Sequence, residues 1–245
     1  MKILVCISHV PDTTAKINFT PDNKEWISQG VTFIINPYDE IALARAVELA
    51  DGGKGTVTSI NVGDATTEPT LRKALAIGAT DAIRVNAASR EAFFVATQIA
   101  NIAKQNNYDM ILCGRESSDY NGSSVPSMLA EMLGMPSVTF AKKLEISGTT
   151  ATIETEIEGG KEVVSVPMPF VVGAAEGMAE PKIPNMRGIM SARTKPLVVV
   201  EPTEAPQHTR VVRYDKPISR SSVKMIPTED AAKLWEMLRE ERKII

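Results

Sequence analysis

The run Cys113-Gly114-Arg115-Glu116-Ser117-Ser118-Asp119-Tyr120-Asn121-Gly122-Ser123-Ser124-Val125-Pro126 holds two glycines, four serines and two carboxylates. It follows an apolar stretch, Asp109 to Cys113, and precedes a helical pattern from about Pro126 to Leu133. A strand that opens into a small-residue loop and then a helix aims main-chain N–H groups and the positive end of the helix at one point. That is a place for a phosphate. The loop has no Lys, so an anion here is held mainly by main-chain donors and hydroxyls.

A ligand of an open α/β sheet gathers at the carboxyl ends of the strands. Four segments are expected to meet there: Cys6 to His9, Asn36-Pro37-Tyr38-Asp39, Val62-Gly63, and Gly114 to Val125. Gly63 and Gly114 permit close backbone approach, and Asn36, Ser117, Ser123 and Ser124 offer polar contacts. The same residues also serve as turn formers and caps. Asn36-Pro37 is already a complete helix start, with Asn36 able to cap.

Other chemistries lack their residues. No Gly-x-Gly-x-x-Gly follows the first strand, and Lys54 in Gly52-Gly53-Lys54-Gly55 has no glycine at P-loop spacing. There is no Gly-x-Ser-x-Gly elbow, and His9 and His208 suggest neither a triad nor a metal site. Cys6 and Cys113 form no Cys-x-x-Cys pair and read as small buried hydrophobes. Glu154, Glu156 and Glu158 alternate as on the solvated face of a hairpin. No catalytic residue and no metal site is expected.

The elements that must position the loop follow from apolar patterning. Strands are expected at Lys2–Ser8, Gly55–Val62, Ala82–Asn86 and Asp109–Cys113. Helices are expected after Asn36, running to Gly52-Gly53, from near Asp64 to Gly78, and from Ser89. Apolar strands separated by helices imply a mostly parallel, doubly wound α/β sheet. After Pro136 the pattern alternates over Val138–Ile146, Thr149–Glu158 and Lys161–Val166, as in antiparallel hairpins. The short apolar strand Phe170–Gly173 follows.

From Glu180 prolines recur, and the chain looks less able to fold by itself. A last amphipathic helix is expected from Thr228, with Trp235 and Leu238 as anchors. Such an arm either wraps a partner or packs on its own domain. Within it, Lys182, Arg187, Arg193 and Lys195 surround Ile183, Met186, Ile189 and Met190 without an acid. A basic loop with apolar tips suits an acidic surface with a hydrophobic notch, or else tucks back onto the core.

The 245 residues are 43% hydrophobic and 5% aromatic, with a net charge of −3 and a pI near 5.6. A general nucleic-acid binder is basic, so this balance argues against one. No apolar run reaches membrane-spanning length. Met1 to Ser8 reads as a first strand rather than a signal peptide, so a cytoplasmic location is expected.

The chain resembles the β subunit of electron transfer flavoproteins. The resemblance rests on Met1-Lys2-Ile3-Leu4-Val5 with Val10-Pro11-Asp12, Asn36-Pro37-Tyr38-Asp39-Glu40, Leu75-Ala76-Ile77-Gly78-Ala79 and Cys113-Gly114-Arg115. It continues through Glu156-Ile157-Glu158-Gly159-Gly160, Glu180-Pro181-Lys182 and Gly188-Ile189-Met190-Ser191-Ala192. It implies an α/β nucleotide-binding domain over 1–192, similar to adenine-nucleotide alpha-hydrolases, and an arm over 193–245 wrapping an α subunit. It also implies a heterodimer that is an electron carrier rather than an enzyme, with FAD held mainly by the α subunit. A structural AMP would contact Cys6, Asn36, Pro37, Tyr38, Asp39, Val62 and the loop Gly114, Arg115, Glu116, Ser117, Ser118, Asp119, Tyr120, Asn121, Gly122, Ser123, Ser124 and Val125. The partner-recognition loop maps to about 174–196 with Met186 as apolar anchor beside Arg187, Ile189 and Met190. It docks acyl-CoA dehydrogenases or similar flavoproteins of fatty acid oxidation. Glu156 matches a contact to the mobile flavin domain. Where relatives carry Asp-Gly-Asp-x-x-Gln-Val-Gly-Pro, this chain has Ser124 for the Gln and Pro126 for a Gly. Two other readings remain: an electron-bifurcating form with a second FAD in this pocket, and a stand-alone AMP- or ATP-binding stress-type protein.

Overall fold

The computed structural model describes residues 1–88, 91–218, 223–241 and 243–244. The chain divides into two units, Met1–Asn18 with Ile27–Val211, and Phe19–Trp26 with Val212–Ile245.

The chain begins with β1 (Lys2–Cys6), β2 (His9–Pro11), the two-residue ribbon β3 (Asn18–Phe19) and β4 (Trp26–Ile27), and β5 (Phe33–Ile35). Then come α1 (Pro37–Ala50), β6 (Thr56–Val62), α2 (Glu68–Ile77), β7 (Asp81–Val85), α3 (Ala92–Asn106), β8 (Met110–Gly114) and α4 (Val125–Leu133). The hairpin strands β9 (Ser137–Ser147), β10 (Thr150–Ile157) and β11 (Gly160–Pro167) are followed by β12 (Phe170–Ala174), α5 (Met186–Ala192) and β13 (Leu197–Val200). The second unit carries α6 (Ala231–Glu236), and there the Tyr214 ring stacks on Phe19 at 5.1 Å between centroids.

Among the described residues one sheet of nine strands runs in the order β11-β10-β9-β12-β8-β1-β6-β7-β13. From β6 through β12 neighbouring strands are parallel, with Lys2 opposite Thr56 and Ile3 opposite Met110. Strand β9 pairs parallel to β12 and antiparallel to β10, so the expected hairpins extend the same sheet. Successive side chains of a strand point to opposite faces, and β1 divides accordingly. Ile3 and Val5 join a core with Leu43, Leu71 and Phe170, whereas Leu4 and Cys6 join one with Ile99, Leu129 and Val171. Both faces are covered, which is why β8 is buried along its whole length.

Two expectations shift. The helix start expected at Ser89 lies outside the described residues; α3 runs from Ala92, and the Glu91 carboxylate accepts the Phe94 N–H at 2.8 Å. The stretch after Glu180 contributes more to the sheet than its prolines suggest. Leu197–Val200 pairs parallel with Ala82–Val85 as β13, so the first unit continues to Val211. Pro196 and Pro202 bracket this strand because an edge strand need not donate on its open side.

Candidate functional site

Chain order reverses between β1 and β8. From β1 the sheet grows through β6 and β7 on one side, and through β8 and β12 on the other. Loops leaving β1 and β8 therefore diverge, and a crevice opens beyond their carboxyl ends. A cavity of about 220 Å³ lies there. It is lined by the β1 exit (Cys6 to Val10), Val62 to Asp64 after β6, and Gly114, Glu116, Ser117, Asp119, Tyr120 and Gly122 to Pro126. Of the helix-start segment only Asp39 reaches the lining.

Asp39 ties the strand ends together. Its Oδ2 accepts the Ser8 N–H at 2.7 Å, and its Oδ1 accepts the Gly114 N–H at 2.8 Å. Burial pushes its carboxyl up to about 6, and the donated hydrogen bonds oppose that rise without cancelling it. A side chain on Gly114 would fall onto Asp39 Oδ1 and the Tyr38 Cβ, so glycine is required by close approach rather than by a turn.

The expectation that Asn36 caps α1 is corrected. Its side chain makes no cap hydrogen bond. Fully buried, it reaches across to the loop instead: Nδ2 donates to the Glu116 carbonyl at 2.8 Å, and Oδ1 accepts the Ser118 N–H at 3.1 Å. Pro37 at the first helical position and the acids Asp39 and Glu40 suffice to start the helix. The amide is thereby left to brace the β8 loop.

Within that loop Glu116 is the hub. Its Oε1 pairs with Arg115 at 2.8 Å, and its Oε2 accepts the Ser123 hydroxyl at 2.8 Å. The Arg115 guanidinium lies 5.0 Å from the Tyr38 ring centroid and 4.7 Å from that of Phe140. Thus Pro37, Tyr38, Arg115, Ser118 and Asn121 sit outside the lining, and Arg115, Tyr38 and Ser118 brace the loop from behind. Asn121 and Ser123 adopt left-handed conformations with φ near 48°. They turn the chain into α4, whose first turn has no side-chain cap. Unpaired N–H groups at a helix start are donors for an anion. Among the described residues the lining holds carboxylates of Asp39, Asp64, Glu116 and Asp119, and no Lys or Arg.

One wall lay outside the sequence reading. Ala87 and Ala88 after β7, with Ala92, Val95 and Ile99 of α3, form an apolar side of the cavity. Strand-end reasoning carried one strand further, to β7, would have reached Ala87 and Ala88; small apolar residues bear no chemical signature. Asp64, Thr66 and Thr67 complete the β6 side, and the Arg84 Nη1 donates to the Gly63 carbonyl at 3.0 Å beneath them. Both cysteines are buried and free. The neighbouring Cys113 thiol and burial hold the Cys6 thiol well above its ordinary range.

The proposed docking segment has a different character. Met186 is 73% exposed and Met190 67%, with Ile183 and Ile189 also exposed. Neither the Arg187 nor the Arg193 side chain has an ion-pair partner among the described residues. Lys195 is not part of this basic surface: its ammonium turns inward to the Leu75 carbonyl at 2.8 Å and the Ala79 carbonyl at 2.6 Å, and desolvation lowers its pKa. Arg72 of α2 adds hydrogen bonds to the Ala192 and Lys195 carbonyls at 3.0 and 2.9 Å. Glu156 is exposed on β10 and pairs with Lys142 at 2.7 Å, which lowers its pKa. In the second unit Trp235 is 62% exposed.

Among the described residues there is no cluster of three metal-ligating side chains, and no helix long and apolar enough to cross a membrane. The profile of the electron transfer flavoprotein domain matches residues 26–205. The chain is 32% identical over 259 residues to the electron transfer flavoprotein subunit beta of Bacillus subtilis (strain 168), covering all of both chains. It is 33% identical over 249 residues to that of Syntrophomonas wolfei, covering 100% of this chain and 98% of the relative. With the Homo sapiens subunit it shares 32% over 251 residues, 98% of each chain. A parallel sheet with a switch-point crevice and similarity along its whole length place this chain in the electron transfer flavoprotein family, as a beta subunit.

Proposed function

We propose that the chain holds AMP in the switch-point cavity while it serves electron transfer as one half of a heterodimer. The α subunit carries most of the FAD site, and FAD supplies the redox chemistry. This chain's residues bind, brace and dock. The observation that carries the nucleotide assignment is the cavity's donor set. The uncapped first turn of α4 and the hydroxyls of Ser117 and Ser124 face a lining that, among the described residues, holds no Lys or Arg. Main-chain donors accommodate one phosphate. A longer polyphosphate would lie among carboxylates with no side-chain cation among the described lining residues to offset it, which favours AMP over a second FAD or ATP.

Docking of acyl-CoA dehydrogenases or similar flavoproteins is assigned to Met186, Arg187, Ile189 and Met190, and contact with the flavin domain to Glu156. The arm from about Val212, with Trp235 exposed, is assigned to wrapping the α subunit in a cytoplasmic complex. The stand-alone alternative leaves the exposed methionines and the arm without a role.

The test is to purify the chain with its co-expressed companion, denature the complex and identify the released nucleotides. A yellow two-chain complex yielding FAD and AMP is expected. A colourless monomer releasing ATP overturns the reading, and FAD in twofold excess over complex favours the bifurcating form. Replacing Ser123 and Ser124 together by Glu is expected to cut AMP recovery at least about tenfold through like-charge repulsion while FAD stays.

A further inference from the structure

Cys6 and Cys113 end neighbouring strands. Strands β1 and β8 pair in register as Ile3 with Met110, Leu4 with Ile111 and Val5 with Leu112, so the next pair along is Cys6 with Cys113. Both side chains point to the same face and join the same apolar cluster, with Ile60, Ile99 and Leu129. The neighbouring Cys113 thiol and burial raise the Cys6 pKa. Cys6 also lines the cavity, so one sulfur of the pair is reachable from solvent through it.

A disulfide suits this pair poorly. In-register parallel residues stand side by side at about the strand spacing of 4.8 Å, whereas a disulfide draws its Cβ atoms to about 3.5–4.5 Å. A bridging ion has no such requirement. Zinc wants four ligands, and among the described residues no third His, Cys, Asp or Glu completes a cluster here. Two sulfurs alone match a closed-shell thiophilic cation that accepts two-coordinate, linear binding. Charge narrows the class further. The walls are largely apolar, and the Asp39 carboxylate acts on the Cys6 thiol, so a neutral adduct is favoured over an anionic one. A divalent ion with two thiolates is neutral, whereas a monovalent one leaves a net negative charge beside Asp39.

From this geometry we infer that Cys6 and Cys113 form a two-sulfur site for a divalent thiophilic cation of the mercuric type, entered through the cavity. Binding replaces two S–H bonds by two metal–sulfur bonds and releases two protons. Nothing is oxidised or reduced. Because Cys6 belongs to the cavity wall, a ligand filling the cavity closes the entry.

The test loads the intact two-chain complex with mercuric chloride and then adds excess glutathione, which strips sites holding the metal by one thiol. Retained mercury is counted by atomic absorption after gel filtration. The wild-type complex is expected to keep one mercury more than complexes carrying Cys113→Ala or Cys6→Ala, each single replacement being enough to remove it. Alanine is smaller than cysteine and apolar, and circular dichroism with FAD content checks that each variant folds. If Cys6→Ala fails that check, Cys113→Ala alone decides the count. Equal mercury in wild type and variant overturns the site. A second measurement rests on the nucleotide assignment: the complex as purified, with AMP in place, is expected to load at least tenfold more slowly than complex from which AMP has been exchanged out. Full stoichiometry without protection by AMP overturns the cavity as the shared entry and leaves the sulfur site standing, so the two failures are distinguishable.

Discussion

The cavity at the ends of β1 and β8 and the segment from Ile183 to Met190 are built in opposite ways. Around the cavity, Asp39 and Asn36 spend their hydrogen bonds on main-chain groups of the loops. Asp39 is buried, Glu116 pairs with Arg115, and Gly114 has no room for a methyl group. On the other segment large apolar side chains stand in water, and the Arg187 guanidinium has no ion-pair partner among the described residues. The first arrangement fixes positions to hold something small. The second leaves contact area open for something large. A site for a small ligand is recognised by what its polar groups already hold, and a docking surface by what it leaves uncovered.

The contrast breaks most severely at Gly114. Gly114→Val should cost about 4 kcal/mol or prevent folding, because the new Cβ meets a carboxylate oxygen and helix backbone that are themselves fixed. Denaturant titration of the complex measures it, and a loss below about 1 kcal/mol would show that the strand ends are looser than the hydrogen bonds imply.

Asp39 offers the next largest effect. Its carboxyl titrates at about 6 when folded, against an ordinary 3.8. Between those values the folded chain binds the proton and the unfolded chain does not. Stability from this group is therefore present below about pH 4 and falls as pH rises through 6, by on the order of 3 kcal/mol. Asp39→Asn should remove that slope from the difference between urea titrations at pH 4.5 and 7, while lowering stability at both, because the amide keeps an acceptor oxygen for one of the two main-chain donors and turns an NH2 to the other. An unchanged slope would place the charge elsewhere.

On the open surface, Met186→Asp should weaken docking by about 2 kcal/mol, a thirtyfold rise in KM for the reduced dehydrogenase, with FAD and AMP contents unchanged. Unchanged KM with lost nucleotide would reverse the assignment of the two regions. The smallest effect is expected from Ser123→Ala, which removes the hydroxyl that Glu116 accepts. It should loosen the loop by about 1 kcal/mol and lower AMP affinity about fivefold, read by equilibrium dialysis.

The parallel sheet was legible because each strand is a short apolar run followed by a helix pattern, and the Gly114 loop because small residues cluster there. Asn36 illustrates the limit. Its neighbour Pro37 supplies a helix start by itself, so nothing local reveals that the amide turns to Glu116 and Ser118, 80 and 82 positions away in sequence. Lys195 misled for a related reason: its carbonyl partners, Leu75 and Ala79, are set by how α2 ends, not by the charges around it. Ala87, Ala88 and Val95 could not announce a wall, since they contribute shape and no polar group. Strand β13 was hidden by brevity, with four apolar residues between prolines giving no period to read.

Strand β13 has a mechanical consequence. Met186 to Ala192 leaves the sheet after β12 and is stitched back into it by β13 on β7, with α2 gripping the return through Arg72. The protruding methionines therefore ride on a span anchored at each end, not on a free tail. A visitor that seats on them meets a shape already set and loses little affinity to freezing it.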